Sequence, residues 1–348
     1  MNKLYIFIGI IILLVIIYLA ITLIYTVSSN TKNTKSNTIT NITKNNTTES
    51  FSQDFCVNAV MNKTAMEYAL NSGLDCFRTD ISLNSKTEAF VASITKNGGN
   101  YLGIIDYQTV GAQPSANGCT AGCNWTLSTW NASVYNALKE YPEVNEWEIY
   151  NEPLVGEFMS GYENGSAIDY FNMIKSTYTI IKKQEPNATI VCFGGAELFP
   201  LNDVQIEYSF YSQVWKYGAS KYCDAVSIHA YSLPYYNLSQ YAYQNVTLKQ
   251  VFNFTLMLYE NLTKKPIWIT ETGIPSNNWV QGLNLSEQKQ GSFLNQEMLF
   301  FSSYPFVKKI YWYTLLGGTG AGADFGLLNS TTLQPKPAWY SFQYFFKK

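Results

Sequence analysis

Two glutamates each come just after a predicted strand, and together they could act as a proton donor and a nucleophile. Glu152 and Glu271 each follow a short apolar run, in well-separated parts of the chain. His229 lies before Glu271 and Trp312 lies after it, at nearly equal intervals. A cleft that holds one protonated and one ionised carboxyl can cleave a bond to a leaving oxygen. This pair therefore predicts acid–base and nucleophilic chemistry.

The regular spacing of these residues predicts that they lie on one rim of a barrel. The interval from Glu152 to Glu271 is close to three steps of about 40 residues each, a length that suits one strand–helix unit. The interval from Arg78 to Glu152 is close to two such steps. A constant step is typical of repeated strand–helix units, whose strands all end at the same face. We therefore expect the side chains to face one another across the barrel mouth.

An alternation of strand and helix patterns runs through residues 51–348. Apolar strand candidates fall at residues 54–60, 76–82, 101–107, 146–150, 189–194, 225–230, 266–270 and 309–315. They are apolar on both faces, as buried parallel strands are. Eight such units predict an α/β fold, a (β/α)8 TIM barrel. The alternative is an open doubly wound sheet, which usually carries a Gly-rich loop after its first strand; none occurs here.

Helix signals fill the intervals between these strands. Capping boxes at Thr64 and Ser85 open two helices that stop at Gly73 and Gly98. Longer helical patterns cover residues 168–183, 204–217, 248–262, 287–303 and 337–346.

The N-terminal segment, up to residue 50, predicts a membrane anchor and a stalk. Residues 4–27 are uncharged and mostly apolar, and the run is long enough to span a bilayer, so residues 1–27 are expected to be a single transmembrane helix. Cleavage as a signal peptide is the alternative. Residues 28–50, rich in Asn, Thr and Ser, predict a flexible stalk. Lysines after the span argue weakly against export, but fourteen Asn-x-Ser/Thr sequons favour a single-pass membrane protein with an extracellular domain.

Composition excludes several classes of function. A net charge of −2 argues against nucleic acid as a partner, and a single histidine excludes a multi-His metal site. No cofactor and no obligate protein partner is indicated. Six cysteines in an exported domain suggest disulfides: Cys56–Cys76, Cys192–Cys223 and a small ring at Cys119–Cys123, with zinc binding as the weaker alternative.

Two motifs carry a resemblance to a known group of enzymes. Residues 147–153 read Trp-Glu-Ile-Tyr-Asn-Glu-Pro, and residues 267–273 read Ile-Trp-Ile-Thr-Glu-Thr-Gly. They resemble the fourth-strand and seventh-strand signatures of clan A glycoside hydrolases, with family 5 (cellulases and mannanases) nearest and family 39 close. The resemblance implies retaining hydrolysis of β-glycosidic bonds in an oligosaccharide or polysaccharide, in the manner of an endo-β-glucanase or mannanase.

The resemblance also implies roles for particular residues. Glu152 would be the acid/base and Glu271 the nucleophile, with about 5 to 5.5 Å between their carboxyl groups. Asn151 would bind the sugar 2-hydroxyl, and Tyr231 would donate a hydrogen bond to Glu271. Arg78 would keep Glu271 ionised.

Three further positions complete the expected site. His229 would lie near Glu152 or the leaving group, and Trp312 would form the floor under the sugar. The family usually has a histidine at the end of the third strand, where this chain has Asp106-Tyr107-Gln108. Tyr107 or Gln108 could replace it.

Plainer interpretations stand beside these roles. Arg78 could pair with Asp80 as structural support, His229 could be a core histidine, and Trp312 could be an ordinary core residue. Glu197 could contact substrate or be structural, whereas Glu148 and Glu157 are expected on the outer surface. The alternative function is an inactive carbohydrate-binding or structural cell-surface protein on the same barrel.

Overall fold

The computed structural model describes residues 51–111, 114–115, 118–119, 126–154, 166–243, 245–277, 285–317 and 322–347. In this part of the chain, eight parallel strands close into a barrel in which each strand pairs with its neighbours in chain order. The strands are β1 Asp54–Asn58, β2 Cys76–Asp80, β3 Asn100–Ile105, β4 Glu146–Ile149, β5 Thr189–Glu197, β6 Ala225–Tyr231, β7 Ile267–Gly273 and β8 Val307–Trp312. β8 closes the barrel by pairing with β1. The predicted (β/α)8 barrel is confirmed.

Helices cover the outside of the barrel. They are α1 Lys63–Asn71, α2 Ser85–Lys96, α3 Tyr107–Val110, α4 Leu127–Glu140, α5 Ala167–Gln184, α6 Leu201–Lys216, α7 Leu248–Thr263, α8 Glu287–Ser302 and α9 Pro337–Phe346. Two short hairpins, Pro114–Ser115 with Gly118–Cys119 and Tyr241–Tyr243 with Val246–Thr247, follow β3 and β6. The sequence patterns miss α3 and α4 and find the other helices.

The first two helices begin with asparagine caps. The Asn62 side chain accepts the backbone N–H of Ala65, and the Asn84 side chain accepts that of Thr87, each at 3.0 Å. The predicted capping boxes at Thr64 and Ser85 are therefore wrong, because an extended asparagine one or two residues earlier already satisfies a free N–H of the first turn.

The two faces of the barrel strands pack differently, because successive side chains alternate in direction. Seven interior positions form one apolar cluster: Cys56, Cys76, Leu102, Val191, Ala225, Trp268 and Tyr311. At the bottom of the barrel, Lys309 Nζ lies 2.7 Å from a Glu146 oxygen and 4.6 Å above the Trp268 ring. The other strand faces pack against the helices in the larger core. The polar residues at the strand ends therefore sit on a rigid support.

Two of the predicted disulfides are present. Cys56–Cys76 joins β1 to β2, and Cys192–Cys223 joins β5 to the segment before β6. A crosslink that closes a loop of this length contributes about 3 kcal/mol to stability by restricting the unfolded chain. The third predicted pair, Cys119–Cys123, lies outside the described residues.

The predicted transmembrane helix at residues 1–27 and the predicted stalk at residues 28–50 also lie outside the described residues. Within the described ranges, no helix combines the length and the apolar character that crossing a bilayer requires.

Candidate active site

The carboxylate of Glu271 is held on both oxygens at the end of β7. Arg78 Nη1 donates to Oε1 at 2.6 Å, and the Tyr231 hydroxyl donates to Oε2 at 2.6 Å. Burial raises the pKa of Tyr231 well above its usual value, with the charge of Glu271 adding to the effect, so Tyr231 remains a neutral donor. Both contacts expected from the sequence are present.

Arg78, in the middle of β2, organises four side chains around it. Besides Glu271, it donates from Nε to Glu148 at 2.6 Å, from Nη1 to Asn58 at 2.9 Å and from Nη2 to Asn151 at 2.7 Å. Burial alone would lower its pKa, but the charges of Glu148 and Glu271 outweigh burial and raise it. The arginine is therefore a permanent cation against Glu271. The alternative pairing of Arg78 with Asp80 is not formed.

Glu152 is positioned by an unusual backbone after β4. Tyr150 and Glu152 have φ values of 69° and 46°, in the left-handed region that non-glycine residues rarely adopt. Backbone hydrogen bonds hold this turn: Tyr150 N–H donates to Ile105 O at 2.9 Å, and Glu152 N–H donates to Gly194 O at 2.6 Å. Strain of this kind persists where the surroundings fix the backbone, which is common in active sites.

His229, on β6, bridges the two glutamates. Its Nδ1 lies 2.8 Å from Glu152 Oε1, and its Nε2 lies 3.6 Å from Glu271 Oε1. Burial lowers the pKa of His229, but the charge of Glu271 and the hydrogen bond to Glu152 outweigh burial and raise it. For Glu152, burial acts to raise the pKa, whereas His229 and Arg78 lower it on balance. The proton shared by this pair is therefore drawn towards the imidazole.

Glu152 and Glu271 come close enough to act on one bond. One oxygen of each carboxylate and a ring nitrogen of His229 lie within 4.8 Å of one another. The side chains of Glu152 and Glu271 are 21% and 10% exposed, so a ligand can reach both. Three such groups could also surround a cation, but Arg78 already neutralises Glu271, and we assign the group to acid–base chemistry.

Two aspartates flank the site at the ends of β2 and β3. Burial raises the pKa of Asp106 well above the usual value, with the charge of Asp80 adding to it, and burial also raises the pKa of Asp80. Asp106 also caps α3 by accepting the N–H of Gln108 at 2.8 Å. Tyr107, partly exposed beside them, has its pKa raised to about 12, mainly by burial. The charge of Glu152 adds to this shift, so Tyr107, one of the two expected replacements for the missing histidine, lies near Glu152.

A second carboxyl pair lies beyond His229 at the end of β5. The Glu207 side chain, on α6, accepts the backbone N–H of Glu197 at 2.5 Å. Burial raises the pKa of Glu207 to about 7, and burial with the charge of Glu207 raises that of Glu197 well above the usual range. Sequence reasoning missed Glu207. Its signal was an acid in the apolar stripe of α6, between Val204 and Tyr211.

Trp312 does not have the position expected of a sugar-binding floor. It is completely buried, and its indole N–H donates to the carbonyl of Phe325 at 3.0 Å, so neither face of the ring is open to a ligand. Phe325 belongs to the segment after β8, which the strand pattern alone could not place. The partly exposed aromatic residue at this strand end is Tyr313, which packs edge-on against Tyr231 and Phe325.

Glu148 is also not where the sequence placed it. We expected an outer-surface residue, but Glu148 is fully buried and ion-paired with Arg78. Because side chains alternate along β4, Trp147 faces the helices and Glu148 faces the barrel interior. Glu157 lies outside the described residues. Asn58, which the sequence reasoning missed, is a polar residue that ends β1 and accepts from Arg78.

Comparison with protein families supports the resemblance drawn from the two motifs. The sequence model of a family described as "Glycosyl hydrolase catalytic core" matches residues 205–340. That stretch includes β6 to β8 with His229, Tyr231 and Glu271, but not Glu152. A search of curated protein sequences gives no match. The resemblance to glycoside hydrolases is confirmed, whereas family 5 is not.

Similar solved structures share the fold. A family 39 glycoside hydrolase from the gut symbiont Bacteroides cellulosilyticus WH2 superposes with a TM-score of 0.59 at 20% identity, over 83% of this chain and 62% of that one. A β-D-glucuronidase of Dictyoglomus thermophilum superposes with a TM-score of 0.56 at 15% identity, over 86% of this chain and 50% of that one. A fungal β-1,4-galactanase superposes with a TM-score of 0.62 at 12% identity, over 85% of this chain and 99% of that one. This chain thus spans less than two thirds of the length of the first two proteins, and at such identities the likeness establishes the barrel fold.

Proposed function

We propose that this barrel hydrolyses β-glycosidic bonds with retention of configuration, with Glu271 as nucleophile and Glu152 as acid/base. The observation that carries the proposal is the approach of the two carboxylates to within 4.8 Å, with different partners on each. Retaining enzymes place these groups about 5 to 5.5 Å apart, whereas inverting enzymes leave about 6.5 to 9.5 Å for a water molecule.

Glu271 has the surroundings that a nucleophile needs. Arg78 places a positive charge beside the carboxyl group, and the two hydrogen bonds from Arg78 and Tyr231 fix the plane of its oxygens. One oxygen attacks the anomeric carbon as the bond to the leaving oxygen breaks, which gives a glycosyl ester. Water then hydrolyses that ester.

The Glu152–His229 pair supplies and recovers the proton. At rest the pair holds one proton across a 2.8 Å hydrogen bond. Glu152 passes it to the leaving oxygen in the first step and accepts a proton from water in the second. His229 is fully buried, so exchange with solvent goes through Glu152.

Asn151 is oriented to donate to a substrate hydroxyl. Arg78 has only donors, so the oxygen of the Asn151 amide must face it, at 2.7 Å from Nη2. The amide N–H groups are then directed elsewhere, and we propose that one of them binds the sugar 2-hydroxyl.

The substrate that we propose is a β-linked oligosaccharide or polysaccharide, with β-glucan and β-mannan as the first candidates for endo-cleavage. The similar structures include a galactanase and a glucuronidase, so the fold by itself does not select the sugar. We also propose that the barrel is exported and tethered by residues 1–27. Two disulfides in the barrel fit an oxidising compartment. Resistance of the full-length protein to alkaline extraction from membranes tests the tether.

The nucleophile is tested by replacing its carboxylate. Glu271→Ala should abolish turnover of aryl β-glycosides, and added azide should restore it with formation of an α-glycosyl azide. Formation of an α-glycosyl azide by Glu152→Ala, and not by Glu271→Ala, would reverse the two assignments. Tight glycan binding by a wild-type protein without any turnover would instead support the carbohydrate-binding alternative.

The acid role is tested by varying the leaving group. Glu152→Ala should lower kcat/KM by roughly 10²- to 10⁴-fold for aryl glycosides with poor leaving groups and far less for activated ones. An equal loss across the series would contradict proton donation by Glu152.

A further inference from the structure

Among the residues that the structure describes, no spare cation stands at the candidate active site to bind an acidic sugar. Arg78 is its only arginine and His229 its only histidine. A substrate carboxylate or sulfate that reaches a buried site is normally bound by arginine or lysine, often through two parallel hydrogen bonds.

Arg78 is fully engaged within the protein. Its Nε, Nη1 and Nη2 all donate to protein oxygens, with two carboxylates among the four acceptors. Only 2% of its surface is exposed. His229 is completely buried between Glu152 and Glu271. Neither cation can bind an anionic substituent without giving up contacts that organise the glutamates.

The segments that connect each strand to the next helix add no free cation. These are residues 59–62, 81–84, 106–126, 150–166, 198–200, 232–247, 274–286 and 313–336. By sequence they contain no arginine and one lysine, Lys336. Lys336 is 2% exposed, and its Nζ donates to Ser276 Oγ at 2.9 Å and Asp324 Oδ1 at 3.0 Å. The next lysines stand in the first turns of the outer helices, at Lys63, Lys86, Lys249 and Lys289.

Acidic side chains surround the site instead. Besides Glu152 and Glu271, the ends of β2, β3 and β5 bring Asp80, Asp106 and Glu197 towards it. Burial is the main cause of the raised pKa of each of these three carboxyls, and neighbouring carboxylates add to it, so a negative charge is unfavourable here. A glycan carboxylate at the barrel mouth would meet the same burial and the same neighbouring carboxyls, without a compensating cation among the described residues.

We propose that the site accepts β-glycosides whose sugar at the two glutamates is uncharged, and that it rejects uronic acid and sulfated sugars. This inference rests on the proposed function and narrows its substrate class. The barrel fold by itself does not exclude charged sugars, since a β-D-glucuronidase shares it. The difference lies in the charges of this chain.

Matched aryl glycosides test the inference directly. The probes are 4-nitrophenyl β-glucoside and β-glucuronide, and the corresponding galactose and mannose pairs, each differing only in CH₂OH against COO⁻ at C5. At low ionic strength, we expect kcat/KM for the neutral member of the cleaved pair to exceed that of the acid by at least ~100-fold, since close like charges at a low-dielectric site cost several kcal/mol. Added salt should reduce the ratio between the two kcat/KM values, because it screens the repulsion between like charges. Equal turnover, or a preference for the acid, would overturn the inference.

A charge-removing variant separates electrostatic rejection from poor fit. Asp80→Asn combined with Asp106→Asn keeps the cap of α3 and should raise relative turnover of the uronide several-fold, with the larger effect at higher pH, where more of these two carboxyls are ionised. Glu260→Gln, which removes a carboxylate at the far end of α7, is the matched control and should leave the ratio unchanged. If no pair is cleaved and neither β-glucan nor β-mannan is hydrolysed, the proposed function fails, and calorimetric binding of the same glycosides then decides the inference. Equal binding of both members would overturn it, and binding of the neutral member alone would uphold it.

Discussion

At the scale of single residues, the two glutamates of the site have different partners and different proposed roles. Arg78 and Tyr231 orient the carboxyl group of Glu271, while His229 shares a proton with Glu152. The two carboxyls have similar chemistry in water, and only their partners distinguish them. Two environments that separate the protonation of paired carboxyls are the physical requirement for double displacement.

Tyr231→Phe should lower kcat by about 10- to 100-fold, because it removes one hydrogen bond to a charged oxygen. The ring and its contacts with Tyr313 and Phe325 stay in place. Tyr235→Phe is the matched control, since its hydroxyl donates to a loop carbonyl, that of Ala242, at 3.2 Å. Steady-state kinetics on an aryl β-glycoside measures both. A Tyr231→Phe enzyme with wild-type kcat would show that the hydrogen bond does not assist Glu271.

The pH–rate profile should report the Glu152–His229 pair. The pKa of His229 is raised, so the pair keeps its proton above the ordinary histidine value of 6.5, and the alkaline limb should fall above that value. In His229→Gln the proton must sit on Glu152 alone, and the alkaline limb should move to lower pH. Measuring kcat/KM from pH 3 to 9 tests this, and an unmoved limb would mean that the proton does not belong to the pair.

At the scale of elements, the end of β5 fixes the positions of both Glu152 and His229. Phe193, Gly194 and Gly195 have consecutive positive φ values, and the register with β6 shifts there. The bulge brings Gly194 O to the Glu152 N–H and puts Gly195 against the His229 ring. A regular strand could not approach both. The bulge is therefore part of the site, although it holds no catalytic side chain.

Gly195→Ala tests this role, because a Cβ there would lie 2.3 Å from His229 Nε2. We expect at least ~100-fold loss of kcat, since a displacement of about 1 Å at a catalytic group costs this much. Gly98→Ala is the matched control: its φ of 93° resembles the 91° of Gly195, but nothing lies within 4 Å. The control should lose about 1 to 2 kcal/mol of stability and no activity. Full activity in folded Gly195→Ala, judged by circular dichroism, would contradict the positioning role.

At the scale of the whole molecule, buried carboxyls set the pH dependence of stability. Glu197, Glu207 and Glu297 all have raised pKa values, with burial as the main cause. Between the ordinary carboxyl pKa and the raised one, the folded protein binds more protons than the unfolded chain, so stability falls as pH rises through that window. For Glu207 the window runs from 4.5 to about 7. The raised pKa of His229 acts in the same direction. Its contribution to stability is fully present below pH 6.5 and is lost as the pH rises through the raised pKa.

The barrel should therefore be more stable at pH 5 than at pH 8, with Glu207 alone contributing on the order of 2 to 3 kcal/mol. Glu297→Gln should flatten this dependence and stabilise the protein at pH 8, because the amide keeps an acceptor for the Thr272 hydroxyl, now 2.7 Å from Oε2. Glu67→Gln, at an exposed pair with Lys63, should change little. The urea midpoint of unfolding, measured at pH 5 and at pH 8, tests this pH dependence. A higher midpoint at pH 8 would contradict the prediction.

Several features of the protein follow from the sequence by itself. The apolar runs and their nearly constant spacing predict the barrel, because buried parallel strands and their covering helices leave a strong local pattern. The same spacing puts Arg78, Glu152, His229 and Glu271 on one rim. Two disulfides also follow from cysteines that the barrel order makes neighbours.

Other features were decided only by the tertiary structure. Both faces of a barrel strand are buried, so the sequence does not show that Glu148 points inward, or that Trp312 is covered by Phe325. Glu207 reaches the site from a helix, through a bulge whose geometry no local pattern encodes. Periodicity depends on near neighbours in the chain, whereas hydrogen-bond partners and exposure depend on which distant segments meet, and that is settled only when the barrel closes.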